Sequence, residues 1–447
     1  MGVFTRTLDG RRDLLAPAAA NPSRYPCLLA SAIQGTAQSR YDILFATDGD
    51  SLTLANDGVV RRADGTAVDG LFLAALDDAW RAERTLAEGD GLPFHGGWVL
   101  FLAYELVGQI EPSLALPSTS GELPVAMALR SPAAIVVDHL AGTTILVAEG
   151  EDWLDMLAAD LDAAPVAMGD VVPESIEEDP PERFLAGVAR VHEHLLAGDI
   201  FQVNLSRQWR ARFAEAPSAA MLMASLRRTN PAPFAGLLQQ PGWAVVSSSP
   251  ERLVESRGGV LQTRPIAGTR PRMAGDDDVA RMRELAAHPK ERAEHVMLID
   301  LERNDLGRVC VPGTVEVDEL MAIESYAHVH HIVSNVRGVA RTDITPGQVI
   351  AATFPGGTIT GCPKVRCMDI IAALERTARG AYTGALGYLD RNGDMDLNIL
   401  IRTLTAEGRD VSLRAGAGIV ADSDAVHELA ETRAKARGLL RAFGSVS

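Results

Sequence analysis

The sequence has few of the features that would place the chain in a membrane, outside the cell or on a nucleic acid. Only four of its 447 residues are cysteine, and no two of them form a C-x-x-C pair, so neither a disulfide framework nor a cysteine zinc site is expected. No apolar run approaches the roughly 18 residues of a membrane helix. Lys and Arg number 42 against 59 Asp and Glu, and the net charge of −17 excludes a general nucleic-acid binder. We therefore expect a cytoplasmic protein with neither a membrane nor a nucleic-acid partner.

Hydrophobic residues make up 47% of the chain and charged residues 23%, a composition typical of a folded protein with a large core. The length allows two or three domains, or one large two-lobed unit. Between Met168 and Pro181 the sequence becomes acidic, proline-rich and aperiodic. We therefore predict an amino-terminal lobe over 1–167, a linker over 168–181 and a catalytic region over 182–447.

Hydrophobic periodicity predicts mixed α/β secondary structure. Residues 24–150 look like short strands with one helix from Leu71 to Ala87. A helix ending at Gly198 precedes an alternating strand that starts at Phe201. Helices are expected at about 277–305, 363–378 and 424–441, interleaved with strands near 244–248, 253–256, 330–337, 384–389, 398–405 and 411–414. This pattern favours an α/β (α+β) fold with a large sheet.

Two predicted helices each carry a pair of glutamates three residues apart. The pairs are Glu291 with Glu294 and Glu428 with Glu431, and Lys435 follows one turn later. A solvated acidic face is the ordinary explanation for such a pair. If the two helices converge, however, four carboxylates would form an all-oxygen site suited to Mg²⁺.

Three further segments could carry chemistry. The glycine-rich stretch from Phe354 to Lys364 leads into a helix and suits a carboxylate or ring oxygen, although an ordinary helix-capping turn remains open. His328, His330 and His331 lack the further ligands of a zinc site, and strand alternation places His330 and His331 on opposite faces. Arg402 lies within the apolar run from Leu397 to Leu404, where a guanidinium needs an anionic partner.

Together these segments resemble the chorismate-utilising enzymes, which include anthranilate synthase component I, aminodeoxychorismate synthase component I and the isochorismate and salicylate synthases. The resemblance covers about residues 182–441. Its motifs are Phe201-Gln-Val-Asn-Leu-Ser-Arg207, Pro265-Ile-Ala-Gly-Thr269, the stretch from Glu291 to Asp305, Phe354-Pro-Gly-Gly-Thr-Ile-Thr-Gly361, Ile401-Arg-Thr-Leu404 and Ala415-Gly-Ala-Gly-Ile-Val420.

The resemblance implies a two-lobed sandwich of large antiparallel sheets flanked by helices, with a cleft that binds chorismate. It implies Mg²⁺ held mainly by Glu294 and Glu431, with Glu291 and Glu428 supporting. It also implies a catalytic set of His331, Glu291, Thr358 and Gln202, in which His331 is the general acid at the C4 hydroxyl. The substrate would contact Arg402, Lys435, Tyr382, Gly416, Gly418, Ala267, Gly268 and Thr269.

This assignment is chemically reasonable, because hydroxide is a poor leaving group and needs a proton donor. The di-anionic substrate must also enter a chain of charge −17, so local cations have to outweigh the global field.

The nucleophile is expected to be ammonia. Water-using members of the family carry a lysine base where this chain has Gln202. None of the four cysteines (Cys27, Cys310, Cys362 and Cys367) lies in a Gly-x-Cys-x-Gly turn. A separate glutamine amidotransferase subunit, or free ammonia in solution, should therefore supply the nitrogen.

The choice between the two ammonia-using activities rests on conflicting resemblances. Three features favour aminodeoxychorismate synthase. They are the segment Asn230-Pro-Ala-Pro-Phe234, the segment Ser39-Arg-Tyr-Asp-Ile43, and Ala30, which replaces a glutamate found in the tryptophan feedback pocket of anthranilate synthases. Ala267 is the anthranilate-type residue, where many aminodeoxychorismate synthases have a lysine that adds to C2. Lys364 could replace that lysine. Anthranilate synthase and a non-catalytic chorismate-binding or tryptophan-binding subunit remain the alternatives.

Overall fold

The computed structural model of the chain describes residues 3–31, 40–86, 89–166, 169, 171–271, 289–325 and 329–444. It describes the backbone alone at 267–271, 289, 290, 325, 329 and 330. Five predictions fall partly or wholly outside these residues: the end of the helix expected from Leu71 to Ala87, the first part of the helix expected at 277–305, His328, Ser39, and the exact start of the linker at Met168.

Strands and helices alternate along the described chain. The strands are β1 (Phe4–Asp9), β2 (Cys27–Ala30), β3 (Tyr41–Ala46), β4 (Ser51–Leu54), β5 (Val60–Arg62), β6 (Ala67–Val68), β7 (Gly97–Leu102), β8 (Ala126–Ser131), β9 (Ala133–Asp138), β10 (Thr143–Ala148), β11 (Ser175–Glu178), β12 (Gln202–Arg212), β13 (Phe234–Gln240), β14 (Trp243–Ser249), β15 (Arg252–Arg257), β16 (Val260–Thr263), β17 (Ile266–Pro271), β18 (Glu316–Ser325), β19 (Val329–Val339), β20 (Gly361–Cys362), β21 (Ala385–Asp390), β22 (Met395–Ile399), β23 (Thr403–Glu407) and β24 (Asp410–Ile419). The helices are α1 (Leu15–Ala20), α2 (Phe72–Glu83), α3 (Val107–Ile110), α4 (Asp152–Asp160), α5 (Pro181–Leu196), α6 (Ala219–Thr229), α7 (Pro289–Gly307), α8 (Pro346–Thr353), α9 (Lys364–Glu375) and α10 (Ala425–Leu440), with short 3-10 turns at Tyr104–Leu106 and Gly357–Ile359.

The strands form two antiparallel sheets of 12 strands each. The first has the order β1-β10-β9-β3-β2-β13-β14-β23-β24-β12-β11, with β20 paired to β12. The second has the order β17-β19-β16-β15-β22-β21-β7-β8-β4-β5-β6, with β18 paired to β19. The expectation of large antiparallel sheets flanked by helices is confirmed.

The sheets pack face to face, as alternate residues of single strands show. In β7, Val99 and Phe101 join a core that also contains Val245 of β14, while Leu100 and Leu102 join a core with α2 and α8. Because neighbouring residues of a strand point to opposite faces, the first core lies between the sheets and the second lies under helices. A third core joins the outer face of the first sheet to α1, α4 and α6. The fold is therefore a helix–sheet–sheet–helix sandwich.

Both sheets take strands from both sides of the proposed linker. β2 pairs with β13 in the first sheet, and β7 pairs with β21 in the second. The division at 168–181 stays a prediction, and the two parts of the chain share the central core. Among the described residues, no helix is long and apolar enough to cross a membrane.

One predicted strand is wrong in its extent. The apolar run from Leu397 to Leu404 is split between β22 of the second sheet and β23 of the first. Arg402 lies in the connection, with a left-handed φ of 52°. Apolar periodicity could not reveal the break, because both halves of the run are buried.

Candidate active site

Two crossings between the sheets lie side by side at the candidate site. The chain passes from β14 to β15 through Glu251, and from β22 to β23 through Arg402. The Ser248 amide donates to the Arg402 carbonyl oxygen at 3.0 Å, and the Ile399 amide donates to the Glu251 carbonyl oxygen at 3.0 Å. These bonds hold the two crossings next to each other, although they come from distant parts of the sequence.

Arg402 is a partly buried cation close to α10. The loss of surrounding water lowers the pKa of its guanidinium, an effect opposed by nearby Tyr382 and Glu431. The Glu431 carboxylate is shared, since it also pairs with Lys435 at 2.6 Å. Arg402 and Lys435 thus both lie near the Glu431 carboxylate, and their contact with an anionic ligand stays a prediction.

α10 reaches β24 through Lys435, whose ammonium donates to the Gly416 carbonyl oxygen at 2.9 Å. Glu428, one turn before Glu431, is buried, and the loss of water together with the charge of Glu431 raises the pKa of its carboxyl. The helix begins at Asp424, which caps it by accepting from the His427 amide at 2.8 Å. The second predicted glutamate pair therefore does not lie on a fully solvated face.

Of the first glutamate pair, Glu294 connects α7 to β12. The Gln202 side-chain amide donates to the Glu294 carboxylate at 3.1 Å. Gln202 in turn lies against β24, because a Cβ on Gly418 would come within 2.4 Å of its Nε2. Glu294 is thus linked to β24 through Gln202 and Glu431 through Lys435, and the convergence of the two helices on one metal site stays a prediction.

Gly416 and Gly418 let the side chains of Asn204, Tyr382 and Gln202 approach β24 closely. On β12, the backbone amide of Asn204 donates to the Thr360 carbonyl oxygen, and that of Ser206 donates to the Glu375 carboxylate. Both amides therefore point away from β24. Asn204 and Ser206 are accordingly not hydrogen-bonded to Gly418 and Gly416, the residues opposite them. The glycine amides accordingly point away from β12, beyond the end of the β23 ladder at Leu413. This position suits their predicted role as donors to a carboxylate.

Arg379 is a positioning residue that the sequence motifs did not indicate. It is 4% exposed, donates to the Asn204 carbonyl oxygen at 2.8 Å and lies 5.5 Å from the Tyr382 ring. Burial raises the pKa of Tyr382 to about 12, so its hydroxyl is a neutral donor at physiological pH. The Arg379 charge is balanced by the buried Glu375 at 2.7 Å.

The glycine-rich loop presents Thr358 to Glu251. The Thr358 hydroxyl donates to the Glu251 carboxylate at 2.8 Å, and the Ile266 amide of β17 also donates to that carboxylate. Burial raises the pKa of Glu251 to about 7 despite these bonds. Sequence reasoning missed Glu251, although an acid between two predicted apolar strands was an available signal.

Lys364 forms an ion pair next to this loop. Its ammonium contacts the buried carboxylate of Asp305 on α7. Glu302, one turn before Asp305, is also buried, and burial with the neighbouring charges of Asp305 and Glu251 raises the pKa of its carboxyl. Lys364 is therefore poorly placed to act as a free amine nucleophile.

His331 is half-buried on β19, opposite Thr269 of β17 and Glu324 of β18. Ile266, which donates to Glu251, lies on the same strand as Ala267, Gly268 and Thr269. The backbone thus places the start of the Pro265–Thr269 motif beside Glu251 and the predicted general acid opposite the end of that motif. The side chains of Ala267, Thr269 and His330 lie outside the described set.

The glutamates fit Mg²⁺ by their chemistry. Within the described ranges, no three His, Cys, Asp or Glu side chains are close enough together to hold a metal ion. Mg²⁺ usually keeps several waters and takes one or two carboxylates plus substrate oxygens, so a three-residue cluster is not required. The charge of Glu431 raises the pKa of the Glu428 carboxyl, and a bound cation would offset this repulsion between the two carboxylates. Glu294, Glu431, Glu291 and Glu428 remain predicted ligands.

A separate cavity of about 510 Å³ lies at the paired strands β2 and β13. Leu29, Ala30 and Phe234 line it, together with Arg252 and Tyr388. The segments around Ala30 and Phe234, whose resemblances favour aminodeoxychorismate synthase, therefore meet in one cavity.

Comparison with known proteins agrees with this geometry. A family model described as chorismate binding enzyme matches residues 36–441. An anthranilate synthase component I-like protein of Synechocystis sp. is 43% identical over 358 residues, covering 79% of this chain and 73% of that protein. Aminodeoxychorismate synthase component 1 of Bacillus subtilis is 37% identical over 446 residues, covering 95% of this chain and 93% of that protein. The crystal structure of anthranilate synthase component I from Streptococcus pneumoniae superposes with a TM-score of 0.81 at 30% identity, covering 91% of this chain and 93% of that structure. The chain belongs to the chorismate binding enzyme family.

Proposed function

We propose that the protein is aminodeoxychorismate synthase component I, which converts chorismate and ammonia to 4-amino-4-deoxychorismate for 4-aminobenzoate and folate synthesis. The observation that carries the choice of ammonia is Gln202, a neutral amide held against Glu294 at the position where water-using relatives have a lysine. A carboxamide cannot remove a proton from water at neutral pH, whereas ammonia needs no such base to attack.

The substrate carboxylates would be held where α10 meets the sheets. The proposed contacts are Arg402, Lys435, Tyr382 and the amides of Gly416 and Gly418; what supports them is that Arg402 lies near Tyr382 and that Lys435 and Tyr382 both contact Gly416. Mg²⁺, bound by the glutamates of α7 and α10, would supply the positive charge that orients the ring carboxylate. That charge matters because the four glutamates outnumber Arg402 and Lys435.

Departure of the C4 hydroxyl as water requires a proton donor. His331 is the donor implied by the family resemblance, and Glu251 is a second candidate because its carboxyl stays largely protonated up to about pH 7. Ammonia then forms the new C4–N bond as the protonated hydroxyl leaves, and the excess proton on nitrogen passes to solvent.

Amination at C4 is favoured by the segments around Ala30 and Phe234 and by the relative from Bacillus subtilis, which is matched along almost its whole length. The absence of a lysine at Ala267, and the engagement of Lys364 with Asp305, mean that the proposed route proceeds without a covalent lysine adduct.

Anthranilate synthesis is the second candidate, because Ala267 is the residue typical of those enzymes and several relatives carry that name. In this reaction ammonia adds at C2 and pyruvate is lost.

One assay separates the two activities. The purified chain is incubated with chorismate, Mg²⁺ and an ammonium salt, and anthranilate fluorescence is followed directly. We expect no anthranilate, and 4-aminobenzoate only after an aminodeoxychorismate lyase is added. Direct appearance of anthranilate would assign the second activity, and chorismate binding without any turnover would assign a non-catalytic subunit.

A further inference from the structure

Glu105 is a buried acid that the proposed reaction does not use. It lies in the short 3-10 turn Tyr104–Leu106 that follows β7, and it is 8% exposed. Its two carboxylate oxygens accept from the backbone amides of Arg379 at 2.7 Å and Gly380 at 3.1 Å. The Tyr104 amide donates to the Gly380 carbonyl oxygen at 2.9 Å. Three hydrogen bonds therefore fix two neighbouring residues of a distant segment to the end of β7.

That segment is the connection from α9 to β21, residues 376–384, which we call the 376–384 turn. The Tyr382 amide donates to the Arg379 carbonyl oxygen at 3.1 Å, so the backbone links the position of Tyr382 to that of Arg379. The Arg379 guanidinium also lies over the rings of Tyr104 and Tyr382, at 5.0 Å and 5.5 Å from their centroids. A displacement of Arg379 would therefore displace Tyr382 as well.

The Tyr382 hydroxyl lies against β24. A Cβ added to Gly416 would come within 2.7 Å of it, and the Tyr382 side chain is near the charge of Arg402. The next residue, Thr383, has a left-handed φ of 63°, and its amide donates to the Leu400 carbonyl oxygen at 2.8 Å. A β-branched residue keeps such a φ only where its surroundings enforce it. The 376–384 turn is thus held before Tyr382 by Glu105 and after it by the segment that leads to Arg402.

A carboxylate at position 105 has a cost, because burial raises the pKa of the Glu105 carboxyl and disfavours its charged form. In return, its two oxygens accept from two successive backbone amides, whereas a carboxamide has only one acceptor oxygen. The feature that a glutamate adds here is therefore the fixed geometry of the turn.

We infer that Glu105 is a positioning residue for chorismate, which holds Arg379 and Gly380 so that the Tyr382 hydroxyl can donate to a substrate carboxylate. This inference rests on the proposed function, from which the contact of Tyr382 with the substrate is taken. Glu105 acts through the 376–384 turn, since its two oxygens are occupied by the backbone amides of that turn.

The test is a double-mutant cycle of Glu105→Gln with Tyr382→Phe, measured as the dissociation constant of chorismate by titration calorimetry in Mg²⁺. We expect Tyr382→Phe to raise this constant about fivefold to tenfold, the effect of one lost hydrogen bond. Glu105→Gln should raise it about threefold to tenfold, because one acceptor oxygen is replaced by a donor. The double variant should stay within about twofold of Tyr382→Phe, whereas independent effects would multiply.

Glu105→Asp is the conservative variant, and it provides the same cycle if Glu105→Gln does not fold. It keeps two acceptor oxygens, so it should bind chorismate more tightly than Glu105→Gln. Turnover at saturating chorismate should stay within about twofold of the wild type in each folded Glu105 variant, because the inferred role of Tyr382 is to bind a carboxylate.

Asp77→Asn is the matched control. Asp77 is also buried, at 6% exposure, and its carboxylate accepts from the Gly347 amide at 2.8 Å and the Thr345 hydroxyl at 2.6 Å at the start of α8. Its substitution should lower the melting temperature and leave the dissociation constant of chorismate within about twofold of the wild type.

Three results would overturn the inference: an unchanged dissociation constant in Tyr382→Phe or in both Glu105 variants, a loss confined to turnover, or effects of Glu105 and Tyr382 that multiply in the double variant. Failure of the proposed function looks different, because the wild type would then bind chorismate but form no 4-amino-4-deoxychorismate with ammonium. The binding cycle tests the role of Glu105 in either case.

Discussion

Glu251 is a carboxyl group in a place where its charged form is poorly solvated. Its pKa is raised from 4.5 to about 7, so the acid form dominates below neutral pH and declines as the pH rises through that value. If Glu251 donates the proton to the C4 hydroxyl, kcat/KM should fall on the alkaline side of about pH 7. Glu251→Gln should remove this pH dependence and lower kcat about 10²-fold to 10⁴-fold.

His331→Ala is the companion measurement, made across the same pH range. A loss of about 10² to 10⁴ in kcat would assign the general acid to His331. A change of only a few-fold, with the limb near pH 7 intact, would assign it to Glu251.

Arg402 is partly buried beside a carboxylate that it shares with Lys435. Arg402→Met keeps much of the apolar stem and removes the charge, so the KM for chorismate should rise by about tenfold or more, the effect of a lost charge-assisted hydrogen bond. The melting temperature should stay the same or rise, because a desolvated cation is removed. An unchanged KM would show that Arg402 does not contact the substrate.

The glutamates of α7 and α10 should be required for metal-dependent turnover. Glu294→Ala and Glu431→Ala are each expected to abolish Mg²⁺-dependent activity while circular dichroism shows an intact fold. Glu182→Ala, on an exposed position of α5, serves as the control and should keep the wild-type Mg²⁺ titration. Full activity in either of the first two variants would remove the proposed metal site.

At the scale of elements, helices and strands could be predicted wherever periodicity was strong. The helix expected to end at Gly198 spans Pro181–Leu196, and the strand expected from Phe201 is β12. The paired crossings at Glu251 and Arg402 could not be predicted. They depend on hydrogen bonds between segments about 150 residues apart, and local periodicity carries no information about such contacts.

The segment that precedes β7 is attached to β21 by His95. Burial lowers the pKa of its imidazole, but hydrogen bonds to Asp390 and Asp90, each 2.9 Å long, outweigh this effect and raise it to about 9. A raised histidine pKa stabilises the fold fully below about pH 6.5, and the stabilisation is lost as the pH rises through about 9. His95→Gln should therefore lower the melting temperature by several degrees at pH 6 and much less at pH 10. An equal loss of melting temperature at pH 6 and pH 10 would contradict an ionic contribution of His95.

For the molecule as a whole, the four cysteines bear on the source of ammonia in the proposed reaction. Cys27, Cys310 and Cys367 are buried, and burial raises the pKa of all four thiols, including the half-buried Cys362. A glutamine amidotransferase of the cysteine type needs a reactive thiolate, which these environments oppose. The purified chain should therefore use ammonium but not glutamine, as measured by aminated product and glutamate release. Glutamine-dependent turnover by the chain alone would contradict a separate partner subunit.

The sequence by itself determined the family, the mixed α/β class and the two helices that carry the paired glutamates, because these follow from motifs and from local periodicity. It also indicated Gln202 in place of a lysine. Only the tertiary structure decided that the sheet crossings at Glu251 and Arg402 lie side by side, that Lys364 is bound to Asp305, and that Gln202 donates to Glu294. The physical reason is that burial and hydrogen bonding depend on which distant segments the two sheets bring together.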